Sequence, residues 1–330
     1  MIKALAPLAL LSFLLSFHVP DAMAENVPRN VVTELAPSGK LRAAINFGNI
    51  VLAQKDPATG EPRGVSAALA REVAKRLAVP IEFVTFDAAG KVFDALQKGA
   101  WDIAFLAIDP VRAAGIDFTA PYVVIEGAYV VPVDSPLKTV EDVDRDGVRV
   151  AVARASAYDL YLTRALKHAK LVRESSGPEA LALFRKDRLE AAAGVKQPIV
   201  AFAQEHPDTR VIPGRFMVIE QAMGTPKGRD AGVHYLREFI EEMKASGFVA
   251  KALSASGQTD AAVAPPSPIR WVGASHCASL QSAVNSPAGE DAVFAKKRGQ
   301  RLALKPFFDY PVCFFAAQRV EAELRGHGVT

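Results

Sequence analysis

Arg112 is the residue of this chain that is best placed to bind an anion. It follows the apolar run of residues 103–108, whose length and lack of charge are typical of a strand buried on both faces. Open α/β sheets bind their ligands at the carboxyl ends of such strands, so this position puts a guanidinium at a ligand site. A guanidinium can hold a carboxylate through two parallel hydrogen bonds. The alternative for Arg112 is a surface ion pair with Asp109 or Asp117.

A second anion-binding position lies in ARASAYDLYLTR, residues 153–164, where a predicted strand turns tightly into a helix. Ser156 is placed as the N-cap of that helix. The backbone amides of Ala155, Ser156 and Ala157 would lie at the positive end of the helix dipole, where anions bind readily. Ser156 can also simply cap its own helix, and the two roles are compatible.

The composition excludes several classes of protein. The chain has 330 residues, 50% apolar and 23% charged, which gives room for two globular domains and rules out a disordered or fibrous protein. A net charge of +3, from 39 basic and 36 acidic residues, gives no electrostatic support for nucleic-acid binding. Cys277 and Cys313 lack the paired spacing of a zinc or iron–sulfur site, so we expect neither a metal nor another cofactor.

The amino terminus has the three parts of a secretory signal. Lys3 precedes an apolar run over residues 4–17, and the small residues around Ala24 predict cleavage between Ala24 and Glu25. The apolar run is shorter than the ~20 residues that span a bilayer, although a retained anchor is the alternative. We therefore expect a soluble periplasmic protein.

Two series of strands and helices follow one another along the chain. In the first, we expect strands at 41–46, 81–86 and 103–108, with helices at 65–78 and 91–99. In the second, we expect strands at 148–153 and 189–195, helices at 156–169 and 178–186, an extended segment at 218–226 and a helix at 233–246. This alternation predicts parallel α/β sheets. The extended residues 122–133 lie between the series and suggest two lobes joined by crossing strands.

The carboxyl-terminal part has a different character. Residues 261–268 form a Pro-rich linker, and residues 269–330 show no sustained helical or strand period. We expect this tail to be poorly ordered and to play no part in ligand capture. A disulfide between Cys277 and Cys313 would be permitted in an oxidising compartment.

Several segments are informative as an ordered set. They are GKLRAAINFGN (39–49), GEPRGVSAALAREVAKRL (60–77), FDALQKGAWDIAFLAID (93–109), R-x-x-x-I-D-F-T-x-P-Y (112–122), GVRVAV (147–152), and PKGRDAG with LREFIEEMKASGFVAKAL (226–253). Over roughly residues 38–260 the set resembles the family 3 extracellular solute-binding proteins, the polar amino-acid receptors of ABC importers.

The resemblance implies a type II periplasmic binding protein-like fold. Each of two lobes would be a mostly parallel sheet flanked by helices, and the lobes would close on a ligand held between them. Lobe one would comprise residues 38–124 and 221–260, and lobe two residues 125–220. In such receptors an arginine clamps the ligand α-carboxylate, which implies that role for Arg112.

The resemblance also implies ligand contacts elsewhere in both lobes. The serine-bearing turn of lobe two corresponds to Ser156, with the amide of Ala157 behind it. An aromatic residue before the D-A-L sequence corresponds to Phe93, which could cover an apolar part of the ligand. The alternative for Phe93 is ordinary helix packing.

The sequence departs from the family where a ligand ammonium is usually held. The family's aspartate at the end of the LEAAAGV strand corresponds to Val195, followed by Lys196 and Gln197. A buried cation without a counter-charge is costly, so an amino acid would need another acid, such as Asp87 or Asp109. Lys196 could instead pair with a second acidic group of the ligand.

Two asparagines strengthen this expectation. Asn46 and Asn49 occupy the first loop, where an acidic and an aromatic residue are common in the family. An asparagine side chain can donate or accept a hydrogen bond, which suits a neutral or anionic ligand. We therefore expect a small carboxylate, an amino acid or a related organic acid, rather than a basic amino acid.

The resulting hypothesis is a monomeric periplasmic receptor that delivers this carboxylate to an inner-membrane ABC permease. The alternative is a dehydratase-like enzyme on the same fold, for which Asp87, Asp109 and Glu220 are the plausible acid or base groups. The sequence carries no G-x-S-x-G, Walker or H-E-x-x-H motif, which favours the receptor.

Overall fold

The computed structural model describes residues 27–267. The predicted signal peptide with its cleavage site lies outside these residues, and so do the tail 269–330 and the Cys277 and Cys313 pair. Within the described part of the chain, no helix has the length and apolar character needed to cross a bilayer.

The first series of elements builds most of lobe one. It consists of α1 (Arg29–Leu35), β1 (Leu41–Asn46), β2 (Gln54–Lys55), β3 (Pro62–Arg63), α2 (Val65–Arg76), β4 (Ile81–Phe86), α3 (Ala89–Asp94), β5 (Ile103–Ala107) and α4 (Pro110–Ala113). The 3₁₀ turn Ala95–Lys98 continues α3. Strands β1 and β4 have the predicted bounds, and β5 is buried at every position, as its unbroken apolar run predicted.

A long strand, β6 (Ile116–Pro132), carries the chain from lobe one into lobe two. Lobe two consists of β7 (Arg149–Ala153), α5 (Ala157–Ala165), β8 (Lys170–Glu174), α6 (Gly177–Lys186), β9 (Ala191–Val195), α7 (Lys196–Glu205) and β10 (Thr209–Val211), with a 3₁₀ turn at Glu141–Val143. The chain returns through β11 (Met217–Pro226) and ends with α8 (Asp230–Ala245), α9 (Phe248–Ala255) and β12 (Ala262–Val263).

The strands form one mixed sheet that runs through both lobes in the order β4-β1-β5-β11-β6-β9-β7-β8, with β10 and β12 also paired to β6. Within each lobe the central strands are parallel: β1 lies between β4 and β5, and β7 lies between β8 and β9. The crossing strands β6 and β11 are antiparallel to each other. Strand β6 also pairs antiparallel with β9, and β11 pairs antiparallel with β5. This arrangement confirms the predicted fold of two α/β lobes joined by two strands.

The buried side chains fall into clusters that follow the two lobes. The largest cluster joins α1, α2 and α8 to the sheet of lobe one, with Leu35, Leu69 and Phe239 among its members. Separate clusters around Tyr129 and Phe184 fill the two faces of the sheet in lobe two. Each lobe therefore has its own hydrophobic core, and the β6 and β11 strands connect the two.

Several elements were not expected, namely α1, β8, β10, α7 and α9, and residues 261–268 also differ from the expectation. Residues 261–268, expected to be a linker, include β12, which pairs with Val123 and Val124 of β6. Helix α7 was not predicted, because Pro198 interrupts its helical pattern; proline is tolerated in the first turn of a helix, which is where Pro198 lies. The predicted lobe boundaries stay a prediction.

A cluster of ion pairs around the buried Asp102 connects three elements of lobe one. Asp102 is fully buried and accepts hydrogen bonds from Arg42 Nε at 2.9 Å, Arg42 Nη2 at 2.8 Å and Arg229 Nη1 at 3.1 Å. These contacts tie β1 and the start of α8 to the residue that precedes β5. Removing one partner of a buried ion pair leaves the other charge uncompensated, which is strongly destabilising.

We expect Asp102→Ala to lower the free energy of unfolding by about 3 kcal/mol, because two guanidinium groups lose their shared carboxylate. Urea denaturation followed by circular dichroism measures this loss. Asp102→Asn keeps the size of the side chain and removes its charge, so its midpoint should lie between those of the wild type and Asp102→Ala. A midpoint unchanged in both variants would contradict the assigned role.

Candidate functional site

A cavity of about 380 Å³ lies between the lobes, at the carboxyl ends of their parallel strands. Both lobes contribute to its wall. Lobe one supplies residues after β1, β4 and β5, including Asn46, Phe47, Asn49, Asp87 and Arg112, and lobe two supplies residues after β7 and β9, including Arg154, Ser156, Ala157 and Val195. The volume is at the small end of the range for ligand pockets and suits a small molecule.

Arg112 lies in α4 directly after β5 and is 1% exposed. Its Nη1 donates to the carbonyl of Ala107 in lobe one at 2.9 Å, and its Nη2 donates to the carbonyl of Ala155 in lobe two at 2.8 Å. The buried Nε has no hydrogen-bond partner among the described residues. Desolvation lowers the pKa of Arg112 to about 10, an effect that the charge of Asp109 partly offsets. Arg112 is thus a charged donor held in place by backbone carbonyls of both lobes.

The turn between β7 and α5 faces Arg112. Ala155 adopts a left-handed conformation with φ of 53°, which is unfavourable for an alanine. The carboxylate of Asp159 holds this turn by accepting from the Ala155 N–H at 2.8 Å, and the Ser156 hydroxyl accepts from the Asp159 N–H at 3.0 Å. Ser156 therefore caps its helix and lines the cavity at once, and the adjoining Ala157 opens the helix on the cavity wall.

The two asparagines of the first loop both line the cavity. Asn46 accepts from the N–H of Gly48 at 2.9 Å and so shapes the loop. Asn49 is 7% exposed, and its amide oxygen has no hydrogen-bond partner in the described chain. A buried acceptor without a donor is unfavourable, so this oxygen is an unusual feature of the first loop.

Two of the predicted ligand contacts have other partners. Asp109 does not line the cavity; it caps α4 by accepting from the Val111 N–H at 2.9 Å and pairs with Arg164 of lobe two at 2.8 Å. Lys196 pairs with Glu126 at 2.6 Å and is also outside the cavity wall. Each side chain therefore pairs with an oppositely charged protein side chain and does not line the cavity.

Phe93 and Gln197 also lie off the cavity wall. Phe93 is one turn beyond the cavity-facing start of α3 and packs against the core cluster around Trp101 and Leu106, which fits the packing alternative. Gln197 lies within the first turn of α7, and its Oε1 is buried without a partner in residues 27–267.

The sequence argument missed the aromatic wall of the cavity. Phe47, Phe105 and Tyr158 line it, and Tyr158 is buried deeply enough that desolvation raises its pKa to about 12. Phe105 lies in the middle of the apolar run of β5, where the sequence alone does not distinguish a core residue from a ligand contact. Phe47 directly follows Asn46, so its position in the first loop was the available signal.

The charged groups on the wall are few. Asp87 pairs with Lys91 at 2.8 Å and is 65% exposed, and Arg154 is exposed. Val195 places an apolar side chain at the end of β9. In the residues that the structure describes, no group of His, Cys, Asp and Glu is arranged to hold a metal ion.

Comparison with protein families gives one match. The profile of the bacterial extracellular solute-binding proteins, family 3, matches residues 53–255, more than half of the chain. No curated protein matches the sequence.

Solved structures share the architecture. The solute receptor for L-cysteine of Neisseria gonorrhoeae is 22% identical, with a TM-score of 0.60 over 68% of this chain and 92% of that chain. The substrate-binding protein AbpA of an amino acid ABC transporter from Streptococcus pneumoniae, bound to L-arginine, is 18% identical, with a TM-score of 0.59 over 68% and 97%. The ancestral amino acid-binding protein AncCDT-1, described as a precursor of cyclohexadienyl dehydratase, is 24% identical, with a TM-score of 0.57 over 68% and 97%.

Proposed function

Because this chain belongs to the bacterial extracellular solute-binding proteins of family 3, we propose that it is the receptor of an ABC importer. It closes its two lobes on a small carboxylate and delivers that solute to an inner-membrane permease. The observation that carries the proposal is Arg112, a buried guanidinium that lines an interlobe cavity and whose Nε has no hydrogen-bond partner among the described residues. Export by residues 1–24, a periplasmic location and a monomeric state are parts of the same proposal.

Closure of the lobes needs contacts that exist only when they meet, because a ligand that touches one lobe alone cannot favour the closed state. Arg112 supplies such a contact by donating to Ala155, and Asp109 supplies another by pairing with Arg164. A carboxylate held by Arg112 would lie beside the start of α5, whose amides belong to the other lobe. The ligand and these direct contacts would then stabilise the same arrangement.

The carboxylates considered for a dehydratase-like enzyme are poorly placed for catalysis. Asp109 is occupied by Val111 and Arg164, and Asp87 is exposed and paired with Lys91. Glu220 is exposed on β11 and does not line the cavity. A general acid or base must reach the substrate, so this placement supports a receptor over an enzyme.

We expect Arg112→Ala to weaken carboxylate binding by about 2–4 kcal/mol, because the ligand loses its charged partner. A panel of small amino, hydroxy and unsubstituted acids, screened by thermal shift, identifies the acid that stabilises the wild type most. Isothermal titration calorimetry with that acid then measures the loss.

Arg112→Lys is the matched variant, since it keeps the charge and removes the planar fork. Its affinity should lie between those of Arg112→Ala and the wild type. Circular dichroism shows whether each variant is folded. Affinity equal to that of the wild type in a folded Arg112→Ala variant would remove Arg112 from the site.

Gly90 lies at the point where lobe one meets the Ala155 turn. It is the second residue of α3, and a Cβ at this position would lie 2.7 Å from the carbonyl oxygen of Arg154 and 3.0 Å from the Cβ of Ala155. The first of these atoms is backbone and cannot rotate away. Only a glycine therefore allows the two lobes to approach this closely.

We expect Gly90→Ala to weaken binding of the same acid at least tenfold, because the added methyl group keeps the lobes apart. The melting temperature without ligand should not fall, because alanine is the better helix former. Gly177→Ala is the control: it also lies in the first turn of a helix on the cavity wall, but its Cβ would meet only the Tyr158 hydroxyl at 3.7 Å. Equal ligand affinity in the two variants would show that Gly90 does not govern closure.

A further inference from the structure

Among the described residues, Arg112 forms no ion pair: the nearby buried carboxylate, Asp109, is paired with Arg164 and does not line the cavity. Arg112 is 1% exposed, and the one carboxylate on the wall in the described chain, Asp87, is 65% exposed and already paired with Lys91. The remaining charged group on the wall, the exposed Arg154, is also positive. The electrostatics of the wall therefore favour an anion and disfavour a cation.

The acidic groups near the cavity are held by protein cations. Glu126 forms salt bridges with Lys196 at 2.6 Å and with Arg215 at 2.6 Å, and hydrogen bonds from these two cations keep its pKa below the usual range. Asp159 accepts from the Ala155 N–H and pairs with Arg173 at 2.9 Å. Neither carboxylate lines the cavity.

A ligand ammonium would thus enter the cavity without a buried counter-charge. An unpaired buried cation carries a large desolvation penalty. A zwitterion such as an amino acid would incur this penalty even while its carboxylate paired with Arg112. A ligand whose only charge is the carboxylate avoids it.

The unpartnered amide oxygen of Asn49 adds a second requirement. Asn49 lines the cavity, and its buried Oδ1 has no hydrogen-bond partner among the described residues, so a donor on the ligand would satisfy it if the side chain turned toward the cavity. A hydroxyl or amide N–H can donate to it without bringing a charge into the cavity. The ligand therefore combines one carboxylate with a neutral donor.

The remaining residues of the cavity wall indicate what kind of ligand body fits the cavity. Apolar side chains from both lobes line the cavity, among them Phe47, Phe105, Leu106, Val195 and Ile219. The cavity adjoins a second, more open pocket that shares Ile50, Pro178, Leu181 and Pro198 with it; Arg185, Glu205 and His206 also line this second pocket. The apolar lining of the cavity excludes water and favours a hydrocarbon body.

We propose that the ligand of this receptor is a monocarboxylate with an apolar body and a neutral hydroxyl or amide donor, in place of the ammonium of an amino acid. This proposal rests on the receptor function proposed above. It names the substrate class from three features of one cavity: the buried Arg112, the unpartnered Asn49 oxygen and the apolar wall.

Two sets of matched acids test the proposal on the mature full-length chain. The aromatic set is L-3-phenyllactate, L-phenylalanine and 3-phenylpropionate; the aliphatic set is L-2-hydroxyisocaproate, L-leucine and 4-methylpentanoate. Within a set the compounds differ only in whether a hydroxyl, an ammonium or a hydrogen stands beside the carboxylate. Calorimetry or thermal shift ranks their affinities.

We expect the hydroxy acid of at least one set to bind at least thirtyfold more tightly than its amino acid. The unsubstituted acid should bind about tenfold more weakly than the hydroxy acid, because the Asn49 oxygen then lacks a donor. An amino acid that binds as tightly as its hydroxy acid, or more tightly, overturns the ligand class and leaves the receptor function standing. Stabilisation by none of the six acids contradicts both proposals.

A substitution at Val195 gives an independent readout. Val195 borders the cavity, so Val195→Asp would supply the missing negative charge, and the preference for hydroxy acid over amino acid should fall at least tenfold. Val195→Asn has the same shape without the charge and should keep the wild-type preference. An unchanged preference in Val195→Asp would show that a missing counter-charge does not set the specificity.

Discussion

The buried guanidinium of Arg112 is the interaction on which the arrangement of this molecule depends. It donates hydrogen bonds to one backbone carbonyl of each lobe, those of Ala107 and Ala155, so both bonds form only when the two lobes are in contact. Burial also strips water from its charge, which makes an anion in the cavity favourable. In the proposed function, this one side chain would couple the approach of the lobes to the capture of a negatively charged ligand.

The surrounding structure holds the partners of Arg112 in position. Strand β5 presents it at the carboxyl edge of lobe one, and the Asp159 carboxylate fixes the strained turn at Ala155 in lobe two. The β6 and β11 strands carry the chain between the lobes, and Glu126 on β6 is tied to Lys196 and Arg215 of lobe two. Rigid lobes and a narrow two-strand connection are the conditions for a hinged closure.

Charge placement separates this cavity from one built for a zwitterion. The acids near the site are paired with arginine or lysine side chains, so their charges stabilise the protein and are not available to a ligand. The apolar Val195 and the neutral Asn49 also line the cavity, which fits the proposed specificity for a ligand with one negative charge. The proposed preference for organic acids follows from desolvation: burying a ligand ammonium without a counter-charge costs free energy, as burying an unpaired ion does.

The sequence by itself determined the order and type of most elements, because the periods of strands and helices are local properties of the chain. It also placed Arg112, Ser156 and Ala157 on a cavity, since strand ends and helix starts converge at one edge of an α/β sheet, and the resemblance to the family added the two loop asparagines. The partners of Asp109 and Lys196 were decided only by the tertiary structure. Arg164 and Glu126 lie 55 and 70 residues away from them along the chain, and no local pattern reports which charges meet. The same reason hid the contact at Gly90, whose neighbour Arg154 belongs to the other lobe and comes close only once the two lobes have folded and met.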